Sequence, residues 1–581
     1  MRAGSIAGLA VLAAFLVAVP FLFGSFSGYQ LGLLLLYGIA AQGIALCWGK
    51  AGFLPLGQAL FFGLGAYIAG WALKTADGNW LLLIPLLVLP ILVPALLAGL
   101  VGLLVFHRSA TSGPYFSLIT LALAMLGFQL ANSLDWLTGG FNGMVGIPDL
   151  AGIDSYGGLY FVILALLAAS SLLLWHLFRS PFGLLLSAIR QNEDRLQFLG
   201  FRTSRLKALA FAISAGIAGA AGALFAPHQG IVTPQAVGFL LSAELVIWTA
   251  VGGRSSITGP VLGAVLIGYL SAELRDSFSY WEIVVALIFI VVVVRLPHGL
   301  MGLVQQAGHR FGLGGPPPSR ARSIDLPPRE RTERRELVLE AVEFGAGGIR
   351  ILNGLDLAIA RPGIHCIIGP NGAGKTSAFN VLTGRFAPTR GDISWNGRSI
   401  GGFRPYEVAA LGIGRKFQVP SVFTEASVAE NIDIALWASR LPMHGMFSMH
   451  PYRWRSRMLA RLEEIFPFLQ QADRIASTLS LGQRQMLEFA MVNLSEPRLL
   501  LLDEPCAGLS TSETAHMIDA IAALDSEFQA TALIIEHDMQ VVERLADHVF
   551  VLHLGAKLAE GTMAEIKAND TVRAVYAGGS K

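Results

Sequence analysis

The sequence has 581 residues, too many for one domain, and 54% of them are hydrophobic, well above the norm for soluble proteins. Part of the chain is therefore expected to lie in a membrane. The net charge of +2 gives no indication of nucleic-acid binding. The three cysteines, Cys47, Cys366 and Cys506, are far apart in the sequence, which favours reduced packing residues over a disulfide framework or a metal site.

Residues 1–300 hold a succession of apolar segments with few charges. Because a membrane helix needs about 20 apolar residues, these segments predict an all-α polytopic membrane bundle of about ten spans. The spans are expected at residues 5–24, 28–48, 53–73, 80–106, 115–134, 157–178, 208–228, 236–253, 257–275 and 281–296. Basic residues collect at the ends that lie inside if the N-terminus is cytoplasmic. An even number of spans then returns the chain to the cytoplasm at Arg295.

Three features of the membrane half bear on solute movement. Small residues crowd 212–223, which lets neighbouring helices approach closely in lipid. Pro55 and several glycines interrupt the apolar stretch 52–67, which either lines a cavity or is a kinked packing helix. Glu244 is an ionisable group in an apolar span, so it either lines a solute path or pairs with another polar group.

The longest charged loop of the membrane half, residues 187–200, is predicted to form a short amphipathic helix that ends at Gly200. Its residues Arg190, Glu193 and Gly200 are candidates for a coupling loop that receives force from another domain of the chain. The alternative is a solvated basic loop, because the topology rule alone concentrates basic residues on the cytoplasmic side.

Residues 301–335 are rich in proline and arginine, a composition that predicts a flexible linker without a core. The rest of the chain, residues 336–581, has an ordinary soluble composition. We therefore expect a membrane domain (1–300), a linker (301–335) and a soluble domain (336–581).

A phosphate-binding pattern, G-x-x-x-x-G-K-[ST], opens the soluble domain after an apolar run typical of a buried strand. Gly372 and Gly374 allow successive N–H groups to face phosphates, and Lys375 would reach the β- and γ-phosphates. The Thr376 hydroxyl would ligate Mg²⁺. The pattern predicts that ATP and Mg²⁺ bind here. The predicted nucleotide-binding residues are Gly369, Pro370, Asn371, Gly372, Ala373, Gly374, Lys375, Thr376 and Ser377.

Four polar side chains further along fit ATP hydrolysis. A buried-strand pattern ends in Asp503, predicted to hold Mg²⁺, and Glu504, predicted to polarise the attacking water. Gln418 can reach both the metal and the water, and His537 follows another strand, where it can touch the γ-phosphate. The predicted catalytic residues are Glu504, His537 and Gln418, and the predicted metal ligands are Thr376, Gln418 and Asp503.

The small residues before a helix at Met486 form one more motif. Ser480, Gly482 and Gln483 could cap a phosphate from across an interface through helix N–H groups. These three residues are therefore predicted to act on the nucleotide of a partner.

This order of motifs resembles the ATP-binding cassette (ABC) family over residues 336–578. The resemblance implies an α/β P-loop domain with a helical subdomain near 436–481, and two cassettes in which each signature completes the partner's ATP site. It also implies that Phe344 stacks on adenine. The signature departs from the usual L-S-G-G-Q at Leu481.

The membrane half looks like the permease subunit of branched-chain amino acid importers. The resemblance is carried by residues 52–67, 138–143, 188–193 and 252–260. The cassette resembles the same group through residues 575–578, whereas residues 414–423 are closer to the urea and short-amide branch. The resemblance implies ATP-driven import of a small polar or branched-chain amino acid-type solute across the bacterial inner membrane.

The same resemblance implies several partners. They are the lipid bilayer, a periplasmic solute-binding protein, a second permease subunit and a second ATP-binding subunit. A second copy of this chain could take the place of the two additional subunits. No nucleic acid is expected. A urea or short-amide importer is an alternative within the family. A fused half-exporter, which would have six spans, and a membrane-tethered regulatory ATPase are alternatives outside it.

Overall fold

The computed structural model describes residues 3–76, 79, 84, 86–108, 113–150, 152–277, 280–296, 298–310, 322–325, 336–438, 440–448, 452–528 and 531–578. The chain divides into two compact units. The helical unit contains residues 1–190, 204–320 and 447–449, and the α/β unit contains residues 191–203, 321–446 and 450–581. Residues 191–203 thus belong with the α/β unit, although they lie in the N-terminal half of the sequence.

The helical unit is built almost entirely from helices, and a two-residue antiparallel pair joins β1 (Met144–Val145) to β2 (Ile231–Val232). The helices are α1 (Ala3–Phe23), α2 (Ser25–Ile44), α3 (Gln58–Ala76), α4 (Leu89–Arg108), α5 (Gly113–Ser133), α6 (Asp135–Thr138), α7 (Gly158–Arg179), α8 (Pro181–Phe198), α9 (Thr203–Gln229), α10 (Phe239–Gly252), α11 (Gly259–Ser277), α12 (Trp281–Arg295) and α13 (Gly299–Arg310). The last part of α8 and the start of α9 fall in the α/β unit.

Each of the ten predicted spans overlaps one of these helices. Within the described residues, six helices are long and apolar enough to cross a membrane: Ser25–Lys50, Gln58–Ala76, Leu89–His107, Gly113–Ser133, Gly158–Arg179 and Thr203–Gln229. Three shorter apolar helices, Val11–Phe23, Phe239–Gly252 and Gly259–Leu274, fall below that length. The all-helical class predicted for this half is confirmed, and the nine apolar helices found among the described residues are roughly consistent with about ten spans.

The predicted break at residues 52–67 is a packed turn. Helix α2 continues as a π-helix, Ala45–Lys50, and α3 begins only at Gln58. The turn lies against α5, where the Ser117 hydroxyl donates to the Leu54 carbonyl oxygen at 2.7 Å. A Cβ added to Gly57 would clash with the carbonyl of Thr120. These contacts favour the packing alternative for this stretch.

The small residues predicted to bring helices together do so in α9. A Cβ added to Gly219 would clash with the Pro90 carbonyl, and one added to Gly222 would clash with the Phe62 carbonyl. Because the backbones of α9, α3 and α4 are this close, substitution of either glycine would push helices apart.

The α/β unit contains two main sheets. Its strands are β3 (Arg322–Asp325), β4 (Leu337–Ala346), β5 (Ile349–Ile359), β6 (Ile364–Ile368), β7 (Arg390–Trp395), β8 (Arg398–Ser399), β9 (Ile413–Lys416), β10 (Tyr452–Arg455), β11 (Leu499–Asp503), β12 (Thr531–Ile535), β13 (His548–His553) and β14 (Ala556–Gly561). Its helices are α14 (Lys375–Leu382), α15 (Pro405–Ala410), α16 (Val428–Trp437), α17 (Arg457–Ile465), α18 (Leu481–Leu494), α19 (Thr511–Phe528), α20 (Met539–Leu545), α21 (Met563–Ala568) and α22 (Asp570–Gly578).

The larger sheet has the strand order β14-β13-β6-β12-β11-β9 and is parallel except for the β13–β14 pair. Every residue of β6, β11 and β12 is buried. Continuous apolar runs such as Leu499–Leu502 are typical of parallel strands covered on both faces. The smaller sheet is antiparallel, with the order β5-β4-β7-β8. The P-loop class and the helical elements α16 and α17 near the predicted subdomain agree with the sequence.

The stretch predicted to be a linker contains regular structure. Helix α13 ends at Arg310, inside residues 301–335, and β3 pairs in parallel with β10. The remaining residues of the stretch, 311–321 and 326–335, lie outside the described part of the chain. The composition predicted no such pairing, because it depends on a partner strand more than 120 residues away.

Candidate nucleotide-binding site

The phosphate loop joins the end of β6 to the start of α14. Gly372 and Gly374 have φ of +82° and +95°, which residues with a Cβ rarely adopt. Gly369 cannot carry a Cβ without a clash against the Leu552 carbonyl. The loop is therefore shaped by its glycines, as the sequence predicted. The loop leads into the N-terminus of α14, with Thr376 and Ser377 in the first turn, and the positive end of a helix favours an anion.

Lys375 folds back over the loop. Its Nζ donates to the carbonyl oxygens of Gly369 at 2.7 Å and Pro370 at 3.0 Å, and its side chain is buried. Burial lowers the pKa of Lys375, and the neighbouring Glu504 and Asp503 oppose this change. The ammonium group thus closes the loop onto its first two residues, and residues 371–374 lie between them and Lys375.

The three predicted catalytic side chains meet in one cluster. Glu504 follows β11 with φ of +46°, a conformation uncommon for a residue other than glycine, and its N–H donates to the Ile535 carbonyl at 2.9 Å. One carboxylate oxygen of Glu504 accepts from Gln418 Nε2 at 2.8 Å. The other lies 2.5 Å from His537 Nε2. The backbone of neighbouring strands therefore aims Glu504 between an amide and an imidazole.

Asp503 points in a different direction from Glu504 and is buried. Its Oδ2 lies 3.5 Å from Arg415 Nη2, and its Oδ1 is buried with no hydrogen-bond partner among the described residues. Burial raises the pKa of Asp503, and Arg415 opposes this change. Asp503, Thr376 and Gln418 line one cavity of about 370 Å³. A buried oxygen without a partner beside a hydroxyl and an amide is an oxygen-rich set that fits Mg²⁺.

Arg415 is a member of this site that the sequence did not single out. Its guanidinium donates to Asn380 Oδ1 at 2.8 Å and Thr383 Oγ1 at 3.0 Å, so it ties β9 to the helix after the phosphate loop. Burial lowers its pKa to about 10, with Asp503 opposing. Nothing in a lone Arg-Lys pair distinguishes a buried cation from a solvated one before the fold is known.

The predicted signature residues begin α18. Ser480 caps this helix: its hydroxyl accepts from the Gln483 N–H at 3.1 Å, and Gln483 Oε1 accepts from the Ser480 N–H at 3.2 Å. Gly482 lies against Glu513, where a Cβ would clash. Leu481, the residue that departs from the family pattern, is half exposed. None of these residues is among those that line the 370 Å³ cavity.

Phe344 lies on β4 in the hydrophobic core, with only 8% of its surface exposed. Its ring stacks on Phe386 at a centroid distance of 5.1 Å and an interplanar angle of 11°. Phe386 is 43% exposed. In this arrangement Phe386 presents more ring surface to solvent than Phe344, the aromatic residue predicted to stack on adenine.

Residues 191–203 pack into the α/β unit next to the strand that leads to Gln418. Arg195 is fully buried, lies 3.2 Å from Glu488, and donates to the Arg415 carbonyl oxygen at 3.0 Å. The rings of Phe198 and Phe417 meet edge to face at 4.9 Å. This segment is therefore attached directly to the residues that precede the predicted catalytic glutamine.

The segment is a broken helix. Asn192 has φ of −158° and ψ of 91°, which interrupts α8, and its Oδ1 accepts from the Arg195 N–H at 2.9 Å to start a new helical turn. Glu193 accepts from the Thr203 hydroxyl at 2.7 Å, and Gly200 closes the turn with φ of +94°. Arg190, the third predicted coupling residue, is exposed and belongs to the helical unit.

Known proteins match both halves of the chain. The family described as the branched-chain amino acid transport system permease component matches residues 28–294, and the ABC transporter family matches residues 352–507. The high-affinity branched-chain amino acid transport ATP-binding protein BraF of Pseudomonas aeruginosa is 38% identical over 40% of this chain and 93% of that protein. LivG of Escherichia coli, of the same description, is 36% identical over 40% of this chain and 93% of that protein.

A cassette of an ABC transporter, known from a crystal structure of its ADP conformation, is 25% identical in sequence to this chain. The match covers 42% of this chain and 99% of that cassette, with a TM-score of 0.36. The family matches and the relatives agree with the phosphate loop and the apolar helices described above. The chain belongs to the branched-chain amino acid transport family of ABC transporters, and it joins a membrane permease domain to a cassette that binds and hydrolyses ATP for transport.

Proposed function

We propose that this chain imports a branched-chain amino acid-type solute across the bacterial inner membrane, with its N-terminus and cassette in the cytoplasm. The observation that carries the proposal is the Gln418–Glu504–His537 cluster beside the phosphate loop. The relatives BraF and LivG are described as parts of high-affinity branched-chain amino acid transport. We divide the chain into a permease domain (1–300), a connecting stretch (301–335) and a cassette (336–581).

The residues of the site have distinct roles in hydrolysis. Residues 369–377 bind the phosphates, Lys375 exchanging its loop carbonyls for phosphate oxygens. Glu504 is the general base: it takes the proton of the attacking water, which replaces one of its two present donors. His537 and Gln418 hold the carboxylate in place. Phe344, supported by Phe386, would stack on adenine.

Thr376, Gln418 and Asp503 would hold Mg²⁺, which supplies charge neutralisation of the phosphates when bound. The unpartnered Asp503 oxygen supports this set. Arg415, whose Nη2 lies 3.5 Å from Asp503 Oδ2, favours the ionised form of that carboxylate.

The chain works in a larger assembly. Ser480, Gly482 and Gln483 would face the ATP of a partner cassette, either a second ATP-binding subunit or a second copy of this chain. A second permease and a periplasmic solute-binding protein complete the transporter. Because each site needs the partner's signature, the chain alone should hydrolyse ATP slowly. The similarity of residues 414–423 to the urea and short-amide branch keeps those solutes as a second candidate class.

The test is uptake by the reconstituted complex. Proteoliposomes that hold the full chain, its partners and the solute-binding protein are expected to accumulate labelled leucine only when ATP reaches the cassette, and Lys375→Ala should abolish uptake. Leucine uptake that is independent of ATP would contradict the proposal. Uptake of urea or acetamide in place of leucine would select the second class.

A further inference from the structure

The helical unit contains a cavity of about 690 Å³, within the size range of small-molecule sites. Its walls come from five elements: α2, α5, α9, the 3₁₀ turn Pro234–Val237 and the first two turns of α10. Most of the wall is apolar and includes Phe128, Phe225 and Phe239. The polar groups that line it are Tyr37, Gln129, Thr233, Gln235 and Glu244.

Among the described residues that line this cavity, Glu244 is the only carboxylate. It interacts electrostatically with the Tyr37 phenol, whose ring is held by Phe62 at 5.6 Å and Trp248 at 5.5 Å. A carboxylate facing lipid tails is unfavourable, so this cavity is unsuited to hydrocarbon alone. An apolar chamber with one anchored acid fits a ligand that has an apolar body and a cationic group.

Helix α10, which carries Glu244, also favours a negatively charged group of the ligand at its N-terminus. Gly238, Phe239, Leu240 and Leu241 line the cavity, and Gly238, the N-cap of α10, has no side chain to cap the first N–H groups. Helix side chains lean toward the N-terminus, so Glu244 inclines toward this turn. The positive end of a helix favours an anion. The cavity therefore offers complementary charges within about two helical turns.

Resting on the proposed function, we infer that this cavity binds the solute as a zwitterionic amino acid with an apolar side chain. Glu244 receives the ammonium group, the first turn of α10 faces the carboxylate, and the phenylalanine rings surround the side chain. The inference favours amino acids over urea and short amides, which carry no ammonium group. Of the two sequence alternatives for Glu244, the inference corresponds to the one in which it lines a solute path.

The test measures binding of labelled leucine to the full chain in lipid nanodiscs, with two competitors. One, 3-methylbutylamine, lacks the carboxylate, and the other, 4-methylpentanoate, lacks the ammonium. We expect leucine to bind about tenfold or more tightly than 4-methylpentanoate, and Glu244→Gln to remove that difference by weakening leucine alone. Glu273→Gln, an exposed carboxylate of α11 outside the cavity wall, is the matched control and should bind leucine as the wild type does.

A second variant guards against misfolding of Glu244→Gln. Leu240→Trp enlarges a side chain that is 70% exposed at the cavity wall, so it should fill the site and reduce leucine binding without disturbing the core. Leucine binding unchanged in both variants would overturn the inference. Leucine binding that stays unchanged while assembly with the second permease is lost would also overturn the inference, because the cavity would then be a docking groove for that subunit.

The outcome is separate from that of the proposed function. Lys375→Ala should abolish ATP-dependent uptake and leave leucine binding to the nanodiscs intact. If the complex transports leucine while Glu244→Gln keeps normal affinity and uptake, only the inference about this cavity fails. If no ATP-dependent uptake occurs at all, the proposed function fails.

Discussion

Arg195 and Glu488 form an ion pair of 3.2 Å in which neither side chain has any exposed surface. Burial lowers the pKa of Arg195, and Glu488 opposes the change. Glu488 also accepts from the Phe417 N–H at 3.1 Å. The Glu488 carboxylate thus contacts both the segment 191–203 and the residue before Gln418. A movement of the segment is therefore expected to shift Gln418, and the reverse.

Removal of Arg195 should be strongly destabilising. Arg195→Met leaves Glu488 buried without its counter-charge, an effect of about 3–5 kcal/mol. Arg195→Met/Glu488→Gln removes the stranded charge and keeps an acceptor for the Phe417 N–H, so it should recover part of the loss. The measurement is the thermal transition of the α/β unit in the full chain, identified by its shift with ATP. Equal losses in the single and double variants would show that the charge pair is not the cause.

Glu504→Gln should lower ATP turnover by about 10²- to 10⁴-fold and leave ATP binding intact, because only the general base is lost. Phosphate release and nucleotide binding by the assembled complex are measured together. Glu464→Gln, an exposed carboxylate of the same unit, is the control and should keep full activity. Wild-type turnover in the Glu504 variant would remove this residue from the mechanism.

ATP affinity should fall as pH rises. Burial lowers the pKa of Lys375 in the free chain, and the phosphates of ATP favour its charged form. At pH values above the lowered pKa of Lys375, ATP binding is therefore accompanied by proton uptake, and the affinity for ATP weakens as the pH rises. Calorimetry in two buffers of different ionisation enthalpy, in the alkaline range below the ordinary lysine pKa of about 10.4, measures this uptake. Proton uptake that is the same in Lys375→Ala would assign it to another group.

The topology prediction places Asn142 outside and Asp194 inside. Both side chains are exposed, so single cysteines at these positions, in a chain whose native three are replaced, should be reactive. We expect a membrane-impermeant thiol reagent to label Asn142→Cys from the periplasmic side and Asp194→Cys only from the cytoplasmic side. Labelling of both from one side would mean that the number of spans between them is wrong.

The sequence predicted what depends on local pattern. The phosphate loop, Gln418, Glu504 and His537 are carried by motifs, and the fold brings the last three together because β9, β11 and β12 are neighbours. Arg195, Arg415 and Glu488 were missed, because a buried charge has no sequence signal that separates it from a solvated one. The ring stack of Phe344 on Phe386 and the pairing of β3 with β10 were not predicted either, because both depend on residues that are distant in the sequence.

We propose that residues 191–203 carry the cassette's motion to the permease helices with which they are covalently continuous. Asn192 donates to Ser421 Oγ at 2.9 Å, and Gln191 accepts from the Glu425 N–H at 2.8 Å. The segment is therefore hydrogen-bonded to the part of the chain just after Gln418. Gly200 has φ of +94°, which a β-branched residue resists. Coupling requires a contiguous element with two arrangements, and this segment is the candidate.

The most direct measurement is the ratio of leucine uptake to ATP hydrolysis in proteoliposomes that hold the full complex. Gly200→Val and Glu193→Lys, which loses the hydrogen bond from Thr203, should keep ATP binding and hydrolysis while uptake per ATP falls. Gly402→Val is the matched control, because it strains a positive-φ turn with open space around it in the same unit. A normal ratio in both segment variants would contradict this proposal, and the coupling would then run through another element.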